Sequence, residues 1–271
     1  MDLELTGRRA LVTGSSSGIG AEIARQLAAE GVQLVVHGRD RDRAEAVAQG
    51  IANDGGQAAV AVGDIATDKG AAAVAQAALA AFGGIDILIN NAGAVLNVDQ
   101  PDWRKVGMDQ WCASFDLNVG AAVRMSRHLS PAMVERGWGR IVNISSVSGT
   151  QMRGRLFDYG ASKAALNSFT VNLSKALAPR GVTVNCVIPG AIMTPAIERW
   201  IESLAGQRGW TGDFAEKERL YVEERATQSV PRLGRPREIA AAVALLASPL
   251  SGYTTGAFLR IEGGMATTIG A

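Results

Sequence analysis

Tyr159 and Lys163 stand four residues apart, a spacing that puts both on one face of a helix, one turn from each other. A free tyrosine has a pKa of about 10 and is a poor acid or base at neutral pH. A lysine ammonium beside it favours the phenolate and lowers that value. A phenol tuned in this way can protonate a carbonyl oxygen, or accept the proton of an alcohol in reverse. A Tyr-x-x-x-Lys pair alone is common by chance, so its context matters. Ser146 lies 13 residues upstream, just past a buried apolar run at 140–144. Its hydroxyl can donate to a substrate oxygen as charge develops there. Ser145 and Ser148 are the neighbouring alternatives on residue type.

A second stretch with chemical meaning opens the chain, Thr13-Gly14-Ser15-Ser16-Ser17-Gly18-Ile19-Gly20. It joins an apolar run to a helical pattern. Glycines at such a junction let the backbone approach a pyrophosphate, and the helix N-terminus offers unpaired N–H groups and partial positive charge. In an α/β chain this points to a dinucleotide. If that dinucleotide carries a nicotinamide, its positive oxidised form would lower the Tyr159 pKa further.

Apolar periodicity supplies the elements that position these residues. Strands are expected at 9–13, 32–36, 58–62, 85–89, 140–144, 182–188 and 257–261. Helices are expected at 18–30, 41–53, 69–81, 108–133 with a break near Pro131, 158–177 and 237–246. Strands apolar on both faces and separated by helices make a parallel sheet covered on both sides, with right-handed crossovers. The expected fold is therefore α/β, a single-domain, Rossmann-type doubly wound sheet of seven strands. No linker divides the chain, so 1–271 reads as one domain. One stretch, about 190–236, reads as irregular, with Pro195, Gly206, Gly209, Trp210, Gly212, Pro231 and Gly234. A long insertion of this kind is typically a functional lid.

Composition excludes several function classes. Apolar residues make up 47% and the net charge is +1, which gives ample core and no single-sign field for nucleic acid or an anionic membrane surface. No apolar run nears the roughly 18 residues that span a bilayer, and the acidic start Met1–Thr6 has no apolar signal core. The chain is expected to be cytoplasmic. Cys112 and Cys186 read as two buried reduced thiols. With only these and the isolated His37 and His128, no metal site is expected.

In sequence order, Thr13–Gly20, Asn90-Asn91-Ala92-Gly93, Asn118, Ser146, Tyr159-x-x-x-Lys163, Pro189-Gly190, Gly234-Arg235-Pro236 and Glu262-Gly263-Gly264 resemble the motifs of the classical short-chain dehydrogenases/reductases. The resemblance covers nearly the whole chain and is closest in style to the 3-oxoacyl-carrier-protein reductase-like members. It implies an oxidoreductase that moves hydride between a nicotinamide cofactor and a ketone or secondary alcohol. Its spacing selects Ser146 over Ser145 and Ser148 as the substrate-oxygen donor. Tyr159 is implied as general acid/base, and Lys163 as its assistant and the ligand of the nicotinamide ribose. Asn118 is implied to hold a water that links Lys163 to solvent.

For the cofactor, the resemblance implies contacts from Gly14, Ser15, Ser16, Ser17, Gly18, Ile19 and Gly20. Asp64 and Ile65 would meet the adenine. Asn91, Ala92 and Gly93 would hold the adenosine side, and Pro189, Gly190, Ile192 and Thr194 the carboxamide and diphosphate. Members that prefer NAD carry Asp at the place of Gly38, and NADP-preferring members often carry a basic residue at the place of Arg39. Here Gly38 removes a repulsive carboxylate, Arg39 supplies a counter-charge, and Ser15 is expected to add a hydroxyl to the 2′-phosphate. NADP(H) is the expected cofactor. The alternatives are an NAD-dependent alcohol dehydrogenase of the same family and a non-catalytic dinucleotide-binding module.

On the substrate side, Met193, Ile197, Trp200, Ile201, Leu204, Trp210 and Phe214 give the lid an apolar character that suits a nonpolar small-molecule carbonyl. By family position, Leu96, Val98, Met152, Leu156 and Phe157 form the opposite wall. Arg153 and Arg155 stand near the mouth and read as solvated charges. The family resemblance also implies a homotetramer or homodimer, built through the long helices at 108–133 and 158–177 and through the C-terminal strand.

Overall fold

β-Branched and other apolar residues form seven strands: β1 (Arg9–Val12), β2 (Gln33–Gly38), β3 (Gln57–Val62), β4 (Ile87–Asn90), β5 (Gly139–Ile144), β6 (Val182–Pro189) and β7 (Phe258–Ile261). In the computed structural model they pair throughout in parallel, in the order β3-β2-β1-β4-β5-β6-β7. Residues 1–96, 102–151, 154–225 and 227–266 are described.

Helices cover both faces, as a parallel sheet requires. On one face α1 (Gly18–Ala29), α2 (Arg41–Asn53) and α9 (Pro236–Ala247) bury Ile23, Leu27, Val47, Ile51, Ile239 and Val243 against Val12, Val36 and Ile89. On the other, α3 (Asp68–Phe82) and α5 (Ala121–Glu135) bury Val74, Ala78, Met125 and Leu129 against Leu11, Leu88 and Ile141. The long α6 (Phe157–Leu177) lies along β6, and the short α4 (Met108–Phe115) packs on α6. A chain of buried polar groups crosses the sheet centre. Asn90 Nδ2 donates to Asn143 Oδ1 at 2.9 Å, and Asn143 Nδ2 to Thr170 Oγ1 at 2.8 Å.

Three expectations need correction. The helix expected over 108–133 is interrupted by a π turn at Asp116–Gly120, whereas Pro131 sits inside an unbroken α5. Proline removes one N–H from a helix, but here the interruption comes about three turns or more earlier, where Arg124 Nη2 grips Asp116 at 2.9 Å. Of the two cysteines only Cys186, on a central strand, is buried; Cys112 faces outward on α4. The stretch 190–236 is not irregular. It folds into α7 (Pro195–Arg208) and α8 (Phe214–Arg225), which share a small core of Ile201, Val222 and Leu233. Its glycines and prolines mark the ends, with Pro195 in the first turn of α7 and Gly209 as its left-handed cap. Glu218 ties α8 down, accepting from Arg235 at 2.8 and 2.9 Å and from the Leu233 N–H at 3.1 Å.

Candidate active site

From β1 the sheet order runs outward one way and from β4 the other. At such a switch point the carboxyl ends of the strands form the crevice where α/β sheets bind ligands. The loops that follow β1 and β4 are locked together. Thr13 Oγ1 accepts from the N–H groups of Asn91 and Ala92, each at 3.0 Å, and Asn91 Nδ2 donates to the carbonyls of Thr13 and Gly14 at 2.9 and 3.2 Å. Gly14 has φ +65, and a Cβ there would lie 2.9 Å from Ala92 Cα; one on Gly20 would collide with the Asn91 amide. The glycines are thus needed for close packing of the two loops. At the start of α1, Ser17 makes no side-chain cap and the first turn has no acidic residue. The positive end of the helix is left open to the crevice.

At the tip of β2 one expectation fails. Ser15 is fully buried, its Oγ donates to Val12 O at 2.7 Å and accepts from the His37 N–H at 2.9 Å. It has no hydroxyl to offer a phosphate. The hydroxyl beside Gly38 is that of Ser16: a Cβ on Gly38 would fall 2.7 Å from Ser16 Oγ, so glycine at 38 leaves room for it. Arg39 is exposed, and among the described residues it forms no ion pair, because Asp40 engages Arg43 and caps α2. Arg43, which the sequence reading passed over, lines the crevice. Asp64 is exposed after β3 and accepts the Ala66 N–H at 3.1 Å. Ile65 is buried, with its side chain in the core.

On the other side of the crevice the catalytic candidates converge. Ser146 and Tyr159 line the same cavity, and the Ser146 hydroxyl lies near enough to the phenol to act on its pKa. Ser145 is buried and donates instead to Lys163 O at 3.3 Å, which removes it as an alternative. Lys163 Nζ donates to Ile144 O at 2.8 Å and stands 5.7 Å from the Tyr159 ring centroid. Asn118 lies in the π turn, buried, with its amide clamping Ala94: Oδ1 accepts from Ala94 N at 3.0 Å and Nδ2 donates to Ala94 O at 3.1 Å. Gly93 is where these groups meet. A Cβ there would be 2.7 Å from Asn118 Oδ1 and 3.2 Å from Lys163 Nζ.

One cavity of about 1630 Å³ joins both halves. It is lined by Gly14, Ser17, Gly18, Ile19 and Gly20, by Asn91 and Gly93, by Ser146, Tyr159 and Lys163, and by Pro189, Gly190, Ile192 and Thr194. Asn118, Ser15, Ser16, Arg39, Asp64, Ile65 and Ala92 stand behind or beside that lining. Thr194 also caps α7, accepting the Ile197 N–H at 3.4 Å. Ile197 and Trp200 of α7 and Tyr221 of α8 form one wall, with Trp200 edge-on to Tyr221 at 5.2 Å. Leu156 and Phe157 line the cavity, whereas Leu96 is exposed beside it. Val98, Met152 and Arg153 lie outside the described residues. Gln151, Tyr221 and Met265 join the lining without having been foreseen. They come from three separate loops or helices, and no local pattern marks them.

The short chain dehydrogenase family matches this chain over residues 8–204. The chain is a short-chain dehydrogenase. It is 36% identical over 255 residues to the short-chain reductase protein NovJ of Streptomyces niveus, covering 94% of this chain and 92% of that protein. It is 34% identical over 273 residues to the 3-oxoacyl-[acyl-carrier-protein] reductase FabG of Aquifex aeolicus (strain VF5), covering 98% of this chain and 100% of that one. The crystal structure of L-sorbose reductase from Gluconobacter frateurii, complexed with NADPH and L-sorbose, superposes with a TM-score of 0.92 at 32% identity, over 99% of this chain and 100% of that chain. As a short-chain dehydrogenase the chain belongs to the oxidoreductases that act on CH–OH groups. Among the described residues no helix is long and apolar enough to cross a membrane, and no His, Cys, Asp and Glu group could hold a metal ion.

The electrostatics of this short-chain dehydrogenase differ from the simple expectation for Tyr159. Burial is the larger effect on its phenol and pushes the pKa above the usual value; the neighbouring Ser146 hydroxyl acts in the opposite direction. Lys163 does not draw the proton off in the protein alone. Its own amine is pushed down to about 8 by burial, with Cys186 opposing. The nicotinamide dinucleotide of the family fits the crevice on two structural counts. The uncapped, acid-free start of α1 suits a pyrophosphate, and Gly14 and Gly20 clear the backbone surface that a Cβ would fill.

Proposed function

We propose that this short-chain dehydrogenase transfers hydride between NADP(H) and a ketone or secondary alcohol. The observation that carries the reading is the convergence of Ser146, Tyr159 and Lys163 in the same cavity as the open N-terminus of α1. When bound, the reduced nicotinamide supplies the hydride. Gly14, Ser17, Gly18, Ile19 and Gly20 hold its pyrophosphate, Lys163 the ribose beside the nicotinamide, and Pro189, Gly190, Ile192 and Thr194 the carboxamide side. Asn91, Ala92 and Gly93 support the adenosine side, with Asp64 and the Ile65 backbone at the adenine.

Ser146 donates a hydrogen bond to the carbonyl oxygen and stabilises the charge that develops there. Tyr159 gives its proton to the same oxygen. A phenol whose pKa is raised by burial is fully protonated at neutral pH, the form that reduction requires. Lys163 places a cation 5.7 Å from the Tyr159 ring, beside the charge that would develop when the proton leaves. The Asn118 amide is committed to Ala94, so the backbone of the π turn, where the helical ladder is interrupted, is the place to hold the water that serves Lys163. The helices α7 and α8 serve as the substrate lid over 190–236.

Absorbance of the reduced nicotinamide, followed over a panel of ketones and secondary alcohols, tests the reaction class. No turnover of any carbonyl with either cofactor would sink it. For the cofactor, Ser16, the free Arg39 and the missing carboxylate at 38 support NADP(H). We expect kcat/KM for NADPH to exceed that for NADH by about 10–100-fold, the size of one or two charge-assisted bonds. Arg39→Ala should erase most of that ratio, and a preference for NADH in the unaltered protein would overturn the assignment. The protein is further proposed to be cytoplasmic and to assemble as a homotetramer, or as a homodimer, through the helices at 108–135 and α6. Light scattering on a sizing column is expected to show that assembly, and a monomer would contradict it.

A further inference from the structure

His37 is buried on β2, 3% exposed, with every polar atom committed to the dinucleotide loop or its neighbours. Its Nδ1 accepts the Gly14 N–H at 3.0 Å, and its Nε2 meets Gly63 O at 3.1 Å. Its backbone N–H donates to Ser15 Oγ at 2.9 Å and its carbonyl accepts the Ser15 N–H at 2.8 Å. The tautomer is decided by the partners. A carbonyl only accepts and a backbone N–H only donates, so the hydrogen sits on Nε2 and the lone pair on Nδ1. One ring thereby ties together the ends of β1, β2 and β3.

We infer that His37 is a positioning residue for the cofactor loop: its unprotonated Nδ1 holds the Gly14 N–H and so sets the backbone that receives the pyrophosphate. This rests on the dinucleotide reading above and adds to it a pH dependence of binding. A second proton on the ring would put an N–H against the Gly14 N–H, two donors with no acceptor between them, and neither could find water at a buried site. Gly14 would then leave the place that its contact with Ala92 defines. Burial favours the neutral ring and holds the pKa below the usual histidine value, while the bond to Gly63 acts against it. The charges that bear on the ring are Asp64 beyond β3, which raises the pKa, and Arg39 beyond β2, which lowers it.

The test is equilibrium binding of NADPH and of NADH by quenching of intrinsic fluorescence, from about pH 8 to about pH 5, in the unaltered protein, His37→Asn and His37→Leu. Asn can place Oδ1 where Nδ1 stands, whereas Leu offers no acceptor. At neutral pH Kd should rise roughly tenfold in His37→Leu and stay within about threefold in His37→Asn, as expected for one buried bond lost or kept. In the unaltered protein affinity should weaken towards acid pH, and in His37→Asn that acid limb should vanish. NADH is included because the 2′-phosphate of NADPH titrates near pH 6 itself. Equal NADH affinity in His37→Leu and the unaltered protein would overturn the inference, as would an unchanged acid limb in His37→Asn. If His37→Leu does not fold, the Asn profile decides. Failure of the unaltered protein to bind either dinucleotide would instead overturn the proposed function, and this inference with it.

Discussion

Tyr159→Phe is expected to lower turnover by about 10²–10⁴-fold, the usual weight of a positioned general acid, while NADPH affinity stays within about twofold. The substitution removes one oxygen and leaves the ring. The ring keeps its place over Lys163, 5.7 Å from Nζ, so the cavity wall persists. What is lost is the phenolic proton beside Ser146. Ser146 can still polarise a carbonyl, but the phenol proton is gone. The measurement is kcat for carbonyl reduction, set against Kd for NADPH from fluorescence quenching. A variant with near-normal turnover would show that the proton comes from elsewhere, and the assignment of the site would fail.

Lys163→Met should separate stability from activity. Lys163 is buried, and its amine is pushed down to about 8 from 10.5. A lysine pKa lower in the folded than in the unfolded chain makes stability greatest above the unfolded value; that stability is lost as pH falls through the folded value. At pH 7 the loss is complete and amounts to about 3 kcal/mol. Methionine fills similar space without a charge, but it leaves Ile144 O without its donor, which costs about 1 kcal/mol. A net gain of about 2 kcal/mol and a higher Tm are expected at pH 7. The advantage should shrink as pH rises from 7 towards 10, because the unaltered protein sheds its buried charge. Turnover should collapse throughout, since Tyr159 loses its cationic neighbour and the ribose its ligand. A variant less stable than the parent at pH 7 would show that the Lys163–Ile144 bond outweighs desolvation.

The alternation of elements was legible because parallel strands buried on both faces read as continuous apolar runs between amphipathic helices. The expected strand at 32–36 and β2, or the helix expected at 41–53 and α2, differ by at most two residues at either end. The glycine loop, Ser146, Tyr159 and Lys163 were visible for a related reason. Each sits at a fixed distance from the end of an element, so position along the chain already implies position at the strand ends. The lid was less legible. Helices α7 and α8 bury only a small core of their own, and glycines and prolines at their ends made the whole stretch read as irregular. The break at Asp116–Gly120 carried no breaker residue in the middle of its turn, while the proline that looked like one is absorbed by α5.

By itself the sequence determined the doubly wound class, because periodicity is contained in each chain segment. It also singled out the glycine loop, Tyr159 and Lys163 as candidates, and only the family resemblance picked Ser146 from its neighbours. Only the tertiary structure decided which serine of the loop is spent and which is free. Ser15 faces inward to Val12 and His37, and Ser16 faces the space that Gly38 leaves open. It also decided the direction of the Tyr159 shift, because desolvation depends on everything packed around a group and not on the one charge four residues away. The role of His37 belongs to the same class. Its partners, Gly14 and Gly63, lie 23 and 26 residues away in the chain and meet it only because β1, β2 and β3 lie side by side.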